Sequence, residues 1–82
     1  MGDYEDYAFV TKGSKRRQIV ISLFAPRRPK ELVKELKLHF SVVSKVLRQL
    51  SSQGLAESFE KEGRKYFRLT ERGELVRKIL LS

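Results

Sequence analysis

The chain has 82 residues, no cysteine and one histidine, His39. That length sustains one domain with a thin core, and the inventory excludes disulfides, a thiolate zinc site and any multi-histidine metal or catalytic centre. Eighteen Lys and Arg against ten Asp and Glu give a net charge of +8, a balance that points to a polyanionic partner through phosphate neutralisation.

The charge is segregated as well. Residues 1–10 hold Asp3, Glu5 and Asp6 without a base, whereas no carboxylate occurs between Glu35 and Glu57. Hydrophobic content of 40% is too high for a disordered basic tail. No stretch reads as a signal peptide, a lipidation motif or an apolar run of about 18 residues. The expectation is a soluble cytoplasmic protein that does not engage membranes.

In chain order, residues 1–10 read as an acidic N-terminal arm or a short helix carrying Tyr4, Tyr7, Phe9 and Val10. Gly13 breaks that pattern and Ser14 is a suitable N-cap. Ile19, Val20, Leu23 and Phe24 then recur at helical spacing, giving a helix of about 11 residues that Pro26 ends. Pro29 suits the first position of a second helix, where its missing N–H costs nothing, and Leu32, Val33 and Leu36 form its apolar stripe. A turn through Lys37, Leu38 and His39 leads to a third helix starting at Ser41 or His39, with serine the better cap. Gly54 terminates it.

The period then switches from helical to alternating. Leu55–Phe59 and Tyr66–Leu69 are strand candidates, with Lys61-Glu62-Gly63-Arg64 as the hairpin tip. Phe67 and Leu69 are expected to face the core, and Tyr66 and Arg68 to point away. Thr70 caps a last helix over residues 70–82, containing Leu75, Val76, Ile79 and Leu80. The whole is one α+β domain spanning residues 1–82.

The third helix carries the functional signal. At ~100° per residue from Val43, Leu47 falls near ~40°, Val46 near ~300° and Leu50 near ~340°, a narrow apolar stripe. Arg48, Ser41, Ser52 and Lys45 fall between ~140° and ~200°, opposite that stripe. An ordinary solvated face mixes Glu with Lys because such pairs stabilise the helix; this one has no acid. It suits a groove lined by phosphates and base edges. Val42 sits where it can either close the core or meet a thymine methyl. His39 and Phe40, at the mouth of the helix, can touch nucleic acid, but the favoured reading is that His39 caps or is solvated and Phe40 packs under the turn.

Second and third helices joined by a tight turn fit a helix-turn-helix, and the hairpin fits a wing. Lys61, Arg64 and Lys65 cluster at its tip, where a basic loop reaches an adjacent minor groove or phosphates. Glu57, Glu60 and Glu62 oppose that use unless they point outward, which favours Arg64 and Lys65 over Lys61.

The run Pro29-Lys-Glu-Leu-Val-Lys-Glu-Leu, the block Ser41-Val-Val-Ser-Lys-Val-Leu-Arg-Gln-Leu with Gly54-Leu55, and Tyr66-Phe-Arg-Leu-Thr-Glu-Arg-Gly73 closely resemble winged helix-turn-helix transcription regulators. The chain looks like the small archaeal and bacterial members related to the MarR-like and ArsR-like groups, and residues 9–17 are similar to the start of archaeal single-domain members. The resemblance implies a dimeric repressor or activator that puts its third helix in the major groove. Carried over, the recognition positions are Ser41, Val42, Ser44, Lys45 and Arg48, with Arg64 at the wing. Gln49, Arg28, Lys30 and Lys65 complete the candidate DNA-binding set. Two departures stand out: Lys37 occupies a turn position where the family commonly has glycine, and the metal-sensing cysteines of ArsR-like members are missing.

The last helix offers more apolar surface than one small core covers. Leu75, Val76, Ile79 and Leu80, with or without residues 4–10, are therefore expected to form a homodimer contact. The leading expectation is a sequence-specific double-stranded DNA-binding regulator needing no cofactor. The alternative is a winged helix serving as a general nucleic-acid-binding or protein-interaction module of transcription or chromatin machinery. An enzyme is not expected, because the sequence has no nucleophile–base pair, phosphate-binding glycine loop or metal cluster.

Overall fold

The computed structural model describes residues 2–82, with side chains from residue 4 onward; Met1 and the Asp3 side chain of the acidic segment lie outside that part. The element order is α1 (Gly2–Thr11), α2 (Ser14–Ser22), α3 (Pro29–Leu36), α4 (Phe40–Ser52), β1 (Ala56–Lys61), β2 (Arg64–Leu69) and α5 (Glu71–Leu81). The core is apolar, with Val10, Ile19, Val20, Leu23, Leu32, Val43, Leu47, Leu50, Leu55 and Val76 almost wholly buried. Among the described residues no helix is long and apolar enough to cross a membrane.

The acidic start is a helix and packs against α5 and α2. Val10 is buried, Phe9 lies against the core, and Asp6, one of the acids of this segment, is buried as well. Two expectations about α2 are corrected. Gly13, with φ −127° and ψ 120°, is the N-cap, and Ser14 is already helical. The helix also ends at Ser22, short of Pro26. Leu23 leaves helical geometry while its N–H still bonds to Ile19 and Val20 carbonyls, so it stays in the core, but Phe24 is 58% exposed.

Pro29 opens α3, and the Glu31 carboxylate accepts the Arg28 backbone N–H at 2.7 Å. This satisfies one of the donors a helix start leaves unpaired. Leu32 is buried, and Val33 and Leu36 pack beside it. Lys37 closes the helix at φ 56°, ψ 42°, the left-handed region that the resemblance assigns to glycine. The cap of α4 is His39 rather than Ser41: its Nδ1 accepts the Ser41 N–H at 3.1 Å. Val43, Val46, Leu47 and Leu50 are the buried face of α4, as the wheel predicts. Beyond its end, Gly54 takes φ +82° and the Leu55 N–H returns to the Leu50 carbonyl at 2.8 Å, a left-handed helix stop.

The hairpin is antiparallel, pairing Ala56 with Leu69, Ser58 with Phe67, Phe59 with Tyr66 and Lys61 with Arg64. Both strands run two residues further toward the tip than predicted, leaving Glu62 and Gly63 as a two-residue turn. Both have positive φ, 54° and 74°, the pattern of a type I′ turn whose twist matches the flanking strands. Arg27, in the α2–α3 connection, exchanges backbone hydrogen bonds with Phe67 at 2.9 and 2.8 Å. This bridge was not foreseen. Flanked closely by Pro26 and Pro29, which have no N–H, the connection forms only this isolated bridge.

Thr70 joins α5 to the end of α4. Its hydroxyl donates to the Gly54 carbonyl at 2.7 Å and accepts the Gly73 N–H at 3.2 Å. The join is tight: a Cβ on Gly73 would sit 2.0 Å from the Leu55 carbonyl oxygen. Only glycine allows that approach.

Candidate nucleic-acid interface

Because α4 buries Val43, Val46, Leu47 and Leu50, its remaining positions are forced outward. Ser41, Lys45 and Arg48 are exposed; Val42, Ser44 and Gln49 are half-buried. Val42 packs on the core edge and also lines the depression beside Lys45. His39 Nδ1 lies 2.8 Å from Ser41 Oγ, so cap and first-turn serine are held together, and Phe40 is 57% exposed at the mouth of the helix.

The wing is set by register. Residues opposite each other in an antiparallel pair share a face. Glu60 and Lys65 therefore lie on the same side as Ser58 and Phe67, and as the buried pair Ala56 and Leu69. Lys61 and Arg64 lie on the other side with Glu57 and Arg68. Ser44, Arg48 and Ser51 of α4 form one depression with Ser58, Lys65 and Phe67. Lys65 is thus brought to α4, with its Nζ 5.3 Å from the Phe67 ring centroid, and Arg64 is not. Strand alternation separates these two adjacent wing candidates.

The acids that argued against the wing are partly accounted for. Glu57 is on the outer face, where its Oε2 accepts the Arg68 Nε–H at 2.8 Å. Arg68 also lies over Phe59, which stacks on Tyr66 at 5.6 Å. Glu62 is in the turn, and only Glu60 shares the side of Lys65.

On its opposite flank, α4 meets the α1–α2 corner. Gln49 Oε1 accepts the Arg16 Nε–H at 3.2 Å, and Arg16 Nη1 donates to the Phe9 carbonyl at 2.8 Å with its guanidinium 4.1 Å from the Phe9 ring centroid. Two adjoining depressions on this flank bring Arg16 against Lys45 and Gln49, and one includes Lys12 and Lys15. Sequence reasoning missed these bases, although Lys12-Gly-Ser-Lys-Arg-Arg17 is an acid-free basic run. Arg28 and Lys30, at the start of α3, line none of these depressions.

The ion pairs among the described residues engage Arg27 with Glu35, Arg68 with Glu57 and Arg72 with Asp6. Lys45, Arg48, Arg64 and Lys65 take part in none of them. The face of α4 consequently keeps its positive charge uncompensated by neighbouring carboxylates.

The expected dimer residues divide. Leu75 and Ile79 are 39% and 42% exposed, and Leu80 is half-buried against the core. Val76 is 1% exposed and belongs to the chain's own core, so it has no surface to offer a partner. It lies at ~100° from Leu75, the rotation that separates neighbouring helix positions. Tyr4 is 79% exposed on α1, the helix packed against α5.

Solved structures share this arrangement. A mutant of Lactococcus lactis ZitR matches with a TM-score of 0.79 at 23% identity, over 84% of this chain and 50% of that one. HlyU from Vibrio cholerae matches with a TM-score of 0.77 at 21% identity, over 94% of this chain and 87% of that one. The chain spans half the length of that ZitR chain. No protein-family model and no curated protein matches it. The helix-turn-helix of α3 and α4, the hairpin wing beside it and the helices closing both ends make this a winged helix-turn-helix fold.

Proposed function

We propose that the protein is a sequence-specific double-stranded DNA-binding transcription regulator. In this reading α4 enters the major groove, and Ser41, Ser44, Lys45 and Arg48 meet base edges and phosphates. Lys65 reaches the neighbouring backbone or minor groove from the wing. The observation that carries it is the acid-free, outward face of α4, whose cations stay out of the ion pairs formed elsewhere. Arg and Lys there can donate to guanine and to phosphate, and Ser can do either.

The same reading makes the protein a homodimer through the exposed side of α5, centred on Leu75 and Ile79, with α1 beside it. A two-fold pair would present two α4 helices to half-sites about 34 Å apart, one turn of the duplex.

The test is selection of bound fragments from the organism's own genomic DNA at several salt concentrations. A regulator enriches a short symmetric site that survives rising salt better than bulk DNA does. Binding with a steep salt slope and no enriched motif would instead identify a general nucleic-acid binder.

A further inference from the structure

We infer that the α1–α2 corner is a second phosphate-contacting arm, with Lys12 and Lys15 gripping the DNA backbone on the side of α4 away from the wing. The inference rests on the reading of α4 as the groove-entering helix and adds to it a contact on the far groove wall.

The reason is geometric. A helix with its side chains is about 10–12 Å across, close to the roughly 12 Å width of the major groove. Both phosphate ridges therefore come near whatever flanks that helix. On one flank of α4 stands the wing with Lys65, which shares a depression with Arg48. On the other flank stand Lys12 and Lys15, in an open depression completed by Val42, Lys45 and Gln49. Both lysines are exposed, and neither is among the ion-paired residues.

The corner is also fixed to α4. Arg16, next to Lys15, bonds both to Gln49 of α4 and to the Phe9 carbonyl of α1, and stacks on the Phe9 ring. That tether pre-sets the position of the flanking lysines relative to Lys45, so less ordering cost is left to binding. Through shared depressions, cations run from Lys12 in the α1–α2 turn and Lys15 of α2, past Lys45 and Arg48 of α4, to Lys65 of β2. Arg17 projects elsewhere, at ~100° from Arg16 on the opposite side from Lys15.

The test measures affinity against salt for a DNA fragment selected by the wild-type protein. It compares Lys12→Ala, Lys15→Ala, their combination, Arg17→Ala and the pair Lys45→Ala/Arg48→Ala. Each lysine substitution should lower the slope of log affinity against log salt by about 0.9, and the combination by about twice that. The combination should also bind on the order of tenfold more weakly at about 0.15 M salt, with the preferred sequence unchanged. Arg17→Ala should bind as wild type. Wild-type slopes in the lysine variants, with binding lost in Lys45→Ala/Arg48→Ala, would overturn the arm while leaving α4 in the groove. Equal slope changes in the lysine variants and Arg17→Ala would also overturn it, because diffuse charge would then suffice. Wild-type binding by Lys45→Ala/Arg48→Ala would remove α4 from the interface, and the arm with it.

Discussion

Asp6 on α1 accepts two hydrogen bonds from the Arg72 guanidinium on α5, Nε to Oδ2 at 3.0 Å and Nη2 to Oδ1 at 2.7 Å. The carboxylate is 2% exposed and the arginine 52%. This unequal burial makes the two truncations unequal. Asp6→Ala loses charge-assisted hydrogen bonds and leaves a cation that water can solvate, at a cost of about 1–2 kcal/mol. Arg72→Ala leaves a buried carboxylate without its guanidinium, at a cost of about 3 kcal/mol. Urea unfolding of both variants checks the order; equal, negligible losses would mean that the pair does not hold α1 to α5.

Where α5 packs on the α4–β1 junction, Gly73→Ala should be among the most damaging single substitutions in the chain. The added methyl meets the Leu55 carbonyl oxygen at 2.0 Å, and backbone cannot swing aside as a side chain can. A loss of about 3 kcal/mol or more is expected, enough to unfold many small domains. Thermal unfolding followed by circular dichroism measures it.

Lys37→Gly should act in the opposite direction. Lys37 is exposed and holds φ 56°, a conformation costing a side-chain-bearing residue about 1 kcal/mol or more. Relief of that strain outweighs the greater freedom of glycine in the unfolded chain. The midpoint of urea unfolding should rise, and DNA affinity should stay as it is.

Substitutions on neighbouring positions of α5 should separate association from folding. Ile79→Glu, on an exposed position, should shift sedimentation toward monomer with little change in unfolding. Val76→Ala, in the core, should cost about 1–2 kcal/mol through lost burial and a small cavity without altering association. A dimer that persists in Ile79→Glu would relocate the interface.

Much of this molecule was legible in its residues. The buried stripe of α4, the proline start of α3, the hairpin and the Thr70 cap follow from period and capping chemistry, which act over a few neighbouring positions. The failures arose where distant contacts decide. Asp6 looks solvent-directed until Arg72, far along the chain, is brought against it. Phe24 reads as core by spacing, but α2 ends two residues before it. The cap of α4 was missed for a local reason instead: the His39 ring nitrogen reaches the Ser41 N–H from two positions earlier. At the candidate interface, Arg64 and Lys65 look equivalent as neighbours, and only the strand register puts them on opposite faces. Likewise, Lys12 and Lys15 join the basic face through a helix–helix corner that no local pattern announces.

The most direct measurement is a titration of the labelled protein with a selected DNA duplex, following backbone amide shifts by NMR. The account predicts that the largest changes fall on residues 41–49 and on Lys65, with α5 little affected. Changes concentrated on α5 or the outer face of the hairpin, with residues 41–49 silent, would contradict it.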